Sequence, residues 1–190
     1  MAQPHPRPSL SPEEYLAIDR QAEIRSEYLD GEMFAMAGGS RAHNLIVTNL
    51  VRELSLHLKK RPCEVYSGDQ RVRVPEIDYT YPDVVVACGE PRFEDEHLDT
   101  LLNPVLIVEV LSPTTEAYDR GKKFQLSQEI ESLAEYILVA QDRPRVERFL
   151  RQDGNQWLLT TTTGLESAVS LSSIQCTLAL AEVYDKVEIG

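Results

Sequence analysis

Apolar residues along this chain follow two rhythms, a four-residue step in one long segment and short, nearly unbroken runs elsewhere. Ile46, Leu50, Leu54 and Leu58 repeat at i+4, which predicts a helix with one core-facing side, capped by Ser40 and running to about Lys60. An earlier, shorter helix starts at Ser11, where a capping serine, Pro12 at the first helical position and the acids Glu13 and Glu14 follow in order. Asp30-Gly31 divides two β-compatible runs in EYLDGEMFAMA and predicts a tight hairpin. CEVYSGDQRVRV reads as two short strands around Ser67-Gly68-Asp69 and TYPDVVVAC as a β-branched strand with its proline near the start, while PVLIVEVLSP is a strand buried on both faces. These are expected to build the central sheet. Ser112-Pro113 opens a helix through about Ile130, and EYILVA, RVERFLR and QWLLTTTT are strand-like, with Asp153-Gly154-Asn155 as a turn. From Leu171 to Val187 the pattern suggests short helical pieces packed on the sheet. The alternation of strands and helices gives an α/β fold.

Length and composition change little in that picture. The chain has 190 residues, 42% apolar and 26% charged, the profile of one globular domain, expected over 13–190. A proline-rich tail covers 1–12. No run approaches the ~18 apolar residues of a membrane span, so no membrane partner is expected. Cys63, Cys88 and Cys176 lie far apart and form no zinc pattern; they read as reduced core thiols in a cytoplasmic protein. The net charge of −12 weighs against a phosphate-rich partner. Basic residues nevertheless gather locally at Arg52/Lys59/Lys60/Arg61, Arg71/Arg73, Arg120/Lys122/Lys123 and Arg143/Arg145/Arg148/Arg151, and a bound divalent cation reverses the local field.

The chemistry centres on Glu109, a carboxylate inside an apolar strand. Burying it costs several kcal/mol unless it is paired, protonated or metal-bound. A salt bridge to a nearby cation is one solution. Asp83, at the head of the preceding apolar run, offers another: adjacent strands bring the two carboxylates together with the carbonyl of Val110. That is the hard oxygen set Mg²⁺ favours while keeping water and phosphate positions open. Ser112 is a cap rather than a nucleophile, since no histidine is placed to activate it, and Gly38-Gly39 matches no phosphate loop.

Pro82-Asp83 followed by Glu109 resembles the PD-(D/E)XK signature of restriction-endonuclease-like nucleases. The stretches SEYLDGE, AHN, YPDVVV, LNPVLIVEVLSP, AYDRGKKF and SLAEYILV closely resemble the Uma-two family over nearly everything from Tyr15 onward. The resemblance implies a restriction-endonuclease-like core, a mixed central sheet flanked by helices. It also implies an Mg²⁺-dependent (or Mn²⁺-dependent) endonuclease acting on nucleic acid, DNA above all. Asp83, Glu109 and Val110 would then be metal ligands, with Glu27 a further ligand or an exposed strand-end acid. The superfamily lysine is expected two residues after Glu109, where this chain has Leu111; in the Uma-two pattern it moves to the next helix, matching Lys123, which becomes the catalytic base. Lys122 competes for that role, and Asp119 is the alternative, purely structural partner of Lys123. Ser127 departs from the tyrosine common in relatives. His43 could touch substrate phosphate or simply cap and pack, and Arg120 and Lys122 are further candidates for substrate contact. A homodimer is expected by analogy with enzymes that pair two sites. The competing function is a catalytically silent binding module that retains the fold.

Overall fold

The computed structural model describes residues 9–75 and 78–189; most of the proposed tail falls outside them. At Leu10 the chain is already tied down, its N–H donating to the Gly31 carbonyl at 3.0 Å and its carbonyl accepting from the Tyr28 hydroxyl at 2.6 Å. Helix α1 spans Pro12–Gln21 behind a capping box in which the Ser11 hydroxyl accepts from the Glu14 N–H and the Glu14 carboxylate from the Ser11 N–H. Strands β1 (Ser26–Leu29) and β2 (Glu32–Ala35) form the hairpin. Its turn has φ of 51° at Asp30 and 82° at Gly31, a conformation that asparagine-like residues and glycine accept at least cost. Helix α2 spans Arg41–Leu58, with the Ser40 hydroxyl accepting from the His43 N–H.

The strands that follow divide between two sheets, where the sequence suggested one. Strands β3 (Cys63–Ser67), β6 (Val84–Cys88), β8 (Leu106–Leu111), β9 (Glu135–Ala140), β10 (Arg145–Gln152) and β11 (Gln156–Thr163) make a six-stranded mixed sheet in the order β11-β10-β9-β8-β6-β3. Strands β4 (Arg71–Val74), β5 (Asp78–Thr80) and β7 (Thr100–Leu101) join the hairpin in a second sheet, ordered β2-β1-β5-β4-β7. The run TYPDVVVAC is therefore two strands, and the chain changes sheets at Pro82. Proline has no N–H for a ladder, so it sits at a break between strands and frees the next residue, Asp83, from sheet pairing.

Both faces of the large sheet are buried. Along β6 and β8, Val84, Val86, Leu106, Val108 and Val110 face one core with Ile46, Leu50, Leu54 and Leu58 of α2, while Val85, Ala87, Ile107 and Leu111 face the second core with Val72, Val74 and Phe124. Glu109 shares the second face by the two-residue alternation of a strand. The helical segment after β8 is α3 (Glu116–Tyr118), a π-helical turn (Asp119–Lys123) and α4 (Phe124–Ser127).

Two further expectations change. The C-terminal region keeps two of the expected short helical pieces, a 3-10 turn at Ser172–Ile174 and α5 (Leu180–Val183), and adds a hairpin of β12 (Ala168–Leu171) and β13 (Cys176–Ala179). Its buried residues Val169, Leu171, Cys176 and Leu178 alternate with exposed ones, a period of two where a helical period was expected. Cys63 and Cys88 are joined in a disulfide rather than free, leaving Cys176 as the buried free thiol. Their 25-residue separation hid what register shows: they face each other across β3 and β6. No described helix is long and apolar enough to cross a membrane.

Candidate active site

Antiparallel pairing of β6 and β8 sets Val84 opposite Val108. One residue further, beyond the ladder, Asp83 falls opposite Glu109 on the same face, a relation that places Cβ atoms ~5 Å apart. Freed by Pro82, the Asp83 carboxylate turns toward β8 and accepts from the Val110 N–H at 2.7 Å. Its other oxygen meets Nε2 of His43 at 3.2 Å, and this contact draws the His43 imidazole above its ordinary pKa against the opposing effect of burial. His43 is brought there by the first turn of α2, and Gly39 leaves room for its ring: a Cβ at that position would stand 2.6 Å from His43 Nδ1.

Glu109 is 3% exposed. Burial raises its carboxyl well above the ordinary range; Lys123 opposes that, and Asp83, Asp119 and Glu27 add to it. Lys123 is equally buried, and its ammonium lies 2.8 Å from Glu27 Oε1 and 2.9 Å from Glu109 Oε1. It also donates to the Tyr81 carbonyl at 3.4 Å. Burial works against its charge, yet Glu109 and Glu27 hold it protonated well above the usual lysine range. The proposed pairing with Asp119 gives way to this one, because the π turn carries the ammonium to the two glutamates. Asp119 is itself buried, which raises its carboxyl.

Glu27 has both oxygens engaged. Oε1 accepts from the Tyr81 N–H at 3.1 Å in addition to Lys123, and Oε2 accepts from the Tyr118 hydroxyl at 2.9 Å. It is buried, with both oxygens hydrogen-bonded, rather than an exposed strand-end acid. Tyr118, whose ring lies 5.9 Å from the Lys123 ammonium, and the backbone of Tyr81 were invisible to sequence reasoning. Nothing in the spacing of AYDRGKKF reveals a π turn, which needs i→i+5 bonding.

These groups line one cleft of about 650 Å³, together with His43, Asp119 and Lys122. Arg120 is not among its lining residues; its guanidinium pairs with Glu116 and Glu147. Glu27 and Glu109 contact the Lys123 ammonium, Asp119 stands near it, and Asp83 acts in turn on Glu109, a crowding of acids that a divalent cation would relieve. Glu109 Oε1 is buried without a hydrogen-bond partner beyond that ion pair. Among the described residues no three His, Cys, Asp or Glu side chains gather as a metal-holding group. The oxygens that line the cleft around Asp83, Glu109 and Val110 are of the hard type that Mg²⁺ takes.

Comparison with known proteins agrees with this architecture. The Uma2 family model, described as "putative restriction endonuclease", matches residues 12–181. Two Synechocystis proteins, both named only as uncharacterized, are 36% identical over 94% of this chain and 93% of theirs, and 38% identical over 86% of this chain and 93% of theirs. A crystal structure from Anabaena variabilis, titled as a putative nuclease belonging to DUF820, superposes with a TM-score of 0.77 at 17% identity, covering 94% of this chain and 99% of that one. At that identity the likeness establishes the fold.

Proposed function

Because the chain belongs to the Uma2 (Uma-two) family, we propose that it is a metal-dependent nuclease hydrolysing phosphodiester bonds at the cleft described above. The observation that carries this reading is the pairing of Asp83 with Glu109 across adjacent strands beside a lysine buried between two glutamates. Asp83, Glu109 and the Val110 carbonyl would hold Mg²⁺ or Mn²⁺, which when bound supplies Lewis-acid neutralisation of phosphate charge. The chain's own groups do the positioning. His43 and the Val110 N–H fix the Asp83 carboxylate, and Tyr81 and Tyr118 fix Glu27, which holds Lys123 in place.

Lys123 thereby acts as a charged donor aimed at the attacking water and at the charge that builds on the phosphate. This role stands beside the base expected from sequence, since the two carboxylates that flank the ammonium favour its charged form. Its origin on a helix leaves this role intact, since the chemistry needs only the position of the ammonium and Leu111 serves the core instead.

Purified protein incubated with labelled oligonucleotides should hydrolyse them with Mg²⁺ or Mn²⁺ and stop in EDTA. Asp83→Asn and Glu109→Gln should each lower the rate by at least a hundredfold while leaving the fold intact. A second reading, a silent binding module, draws on the Lys123–Glu109 pair, which satisfies Glu109 without any ion. Binding of the same oligonucleotides with no metal-dependent hydrolysis would favour it.

A further inference from the structure

Two side-chain contacts stand at the wall of the cleft. Lys122 Nζ meets Asp30 Oδ2 at 2.6 Å, tying the β1–β2 turn to the π turn. The Ser40 hydroxyl donates to Gln141 Oε1 at 2.5 Å, tying the start of α2 to the chain just after β9. Lys122, Ser40 and Gln141 all line the cleft of about 650 Å³.

One wall of it is apolar, formed by Leu29, Phe34, Met36 and Pro113. Phe34 is 48% exposed. Register sets it directly opposite Glu27, on the same face as the carboxylate that holds Lys123, so its ring stands next to the proposed point of hydrolysis. An exposed aromatic beside a phosphate-directed cation is the pairing used to hold unpaired bases, because every base presents a π face.

The cations tell the same story. Those lining the cleft, Lys122, Lys123 and His43, each already face a carboxylate. Arginines elsewhere are similarly committed, Arg71 to Asp19, Arg73 to Glu94, and Arg120 and Arg145 to Glu147. The described cations that line the cleft are thus all engaged, and with a net charge of −12 on the chain the cleft does not present the row of free cations that duplex binding draws on through many phosphate contacts.

We infer that the substrate is an unpaired polynucleotide strand, which lies in the cleft and stacks a base on Phe34 beside the scissile phosphate. This rests on the nuclease reading of the same cleft and adds the class of substrate. Sequence preference should be weak, since stacking discriminates little among bases.

The test uses oligonucleotides of one sequence as single-stranded DNA, single-stranded RNA and blunt duplex DNA. Cleavage is followed with Mn²⁺ on the wild type, and binding by fluorescence anisotropy with Ca²⁺ on the wild type and Phe34→Ala. At least one single strand should be cut and bound about tenfold better than the duplex, and Phe34→Ala should weaken single-strand binding roughly tenfold while Phe34→Trp restores it. The DNA and RNA arms decide which sugar is accepted. Duplex cut or bound as well as the single strands, or Phe34→Ala binding unchanged, overturns the inference while leaving the nuclease reading standing. Single-strand binding through Phe34 with no hydrolysis in any arm upholds the substrate class and overturns the nuclease reading. Neither binding preference nor hydrolysis overturns both.

Discussion

Lys123 and Glu109 are each buried and each the other's partner, so their separate removal tests how the site is held together. Lys123→Met leaves Glu27 and Glu109 without their cation; breaking a buried pair from one side costs about 3–5 kcal/mol. Glu109→Gln is milder, because Lys123 keeps Glu27. The double variant should therefore be more stable than the sum of the single changes, with a coupling that urea titration of all four proteins would resolve; additive losses would mean that the pair contributes nothing specific. A second residue-scale prediction concerns acid. A two-point hydrogen bond from Arg20, at 2.8 and 3.0 Å, holds the Asp99 carboxyl well below the usual carboxylate range. Its folded pKa is depressed, so its contribution is present above the unfolded value, about 3.9, and is lost as pH falls through the folded one. Melting temperature followed downward from pH 5 should fall less steeply in Asp99→Asn than in wild type. At this scale Glu109 was legible, because a lone carboxylate in an apolar run must be explained, and Asp83 and Lys123 were legible through the family pattern. Tyr118 was not, since a tyrosine in a helix carries no sign that its hydroxyl will hold a glutamate.

Periodicity made the elements legible and left their grouping hidden. The i+4 face of α2, the Asp30-Gly31 hairpin and the doubly buried β8 all stand as read, each set by a local rule. That β4 and β5 leave the large sheet is a non-local fact, decided by which neighbours cover which face, and no alternation of residue types encodes it. The same blindness hid the Cys63–Cys88 bond, and it has a direct consequence: denatured without reductant, the chain should present one reactive thiol, Cys176, and with reductant three. Thiol titration giving three in both conditions would remove the bond from the protein in solution. The π turn is the other element-scale feature. Its widened coil between α3 and α4 sets the angle between Tyr118 and Lys123 around Glu27. Deleting Gly121 should close the widened coil to ordinary i→i+4 bonding, keeping α3 and α4 in register but drawing Tyr118 and Lys123 one residue closer along the helix. The deletion variant should keep its far-UV circular dichroism and lose hydrolysis; retained activity would show that the π turn does not position the site.

At the scale of the whole molecule the site lies on a seam. Glu27 and Tyr81 belong with the smaller sheet and its exit, Asp83 and Glu109 with the larger, and Lys123 reaches both from the helical segment between β8 and β9. A single-stranded substrate asks for one such site at a time, so specific activity should be independent of protein concentration; activity rising steeply with concentration would point to paired sites in a dimer. With the cations of the cleft engaged by carboxylates, single-strand binding held by stacking should fall with salt at a log–log slope of only roughly −1. The hydrogen-bonding pattern of the seam also equips the protein with built-in reporters. The amide protons of Tyr81 and Val110 are held by the side chains of Glu27 and Asp83. Their exchange with deuterated water therefore tracks the carboxylates themselves, one from each sheet, and an amide spectrum could follow an ion or a strand entering the cleft without any label attached to the site.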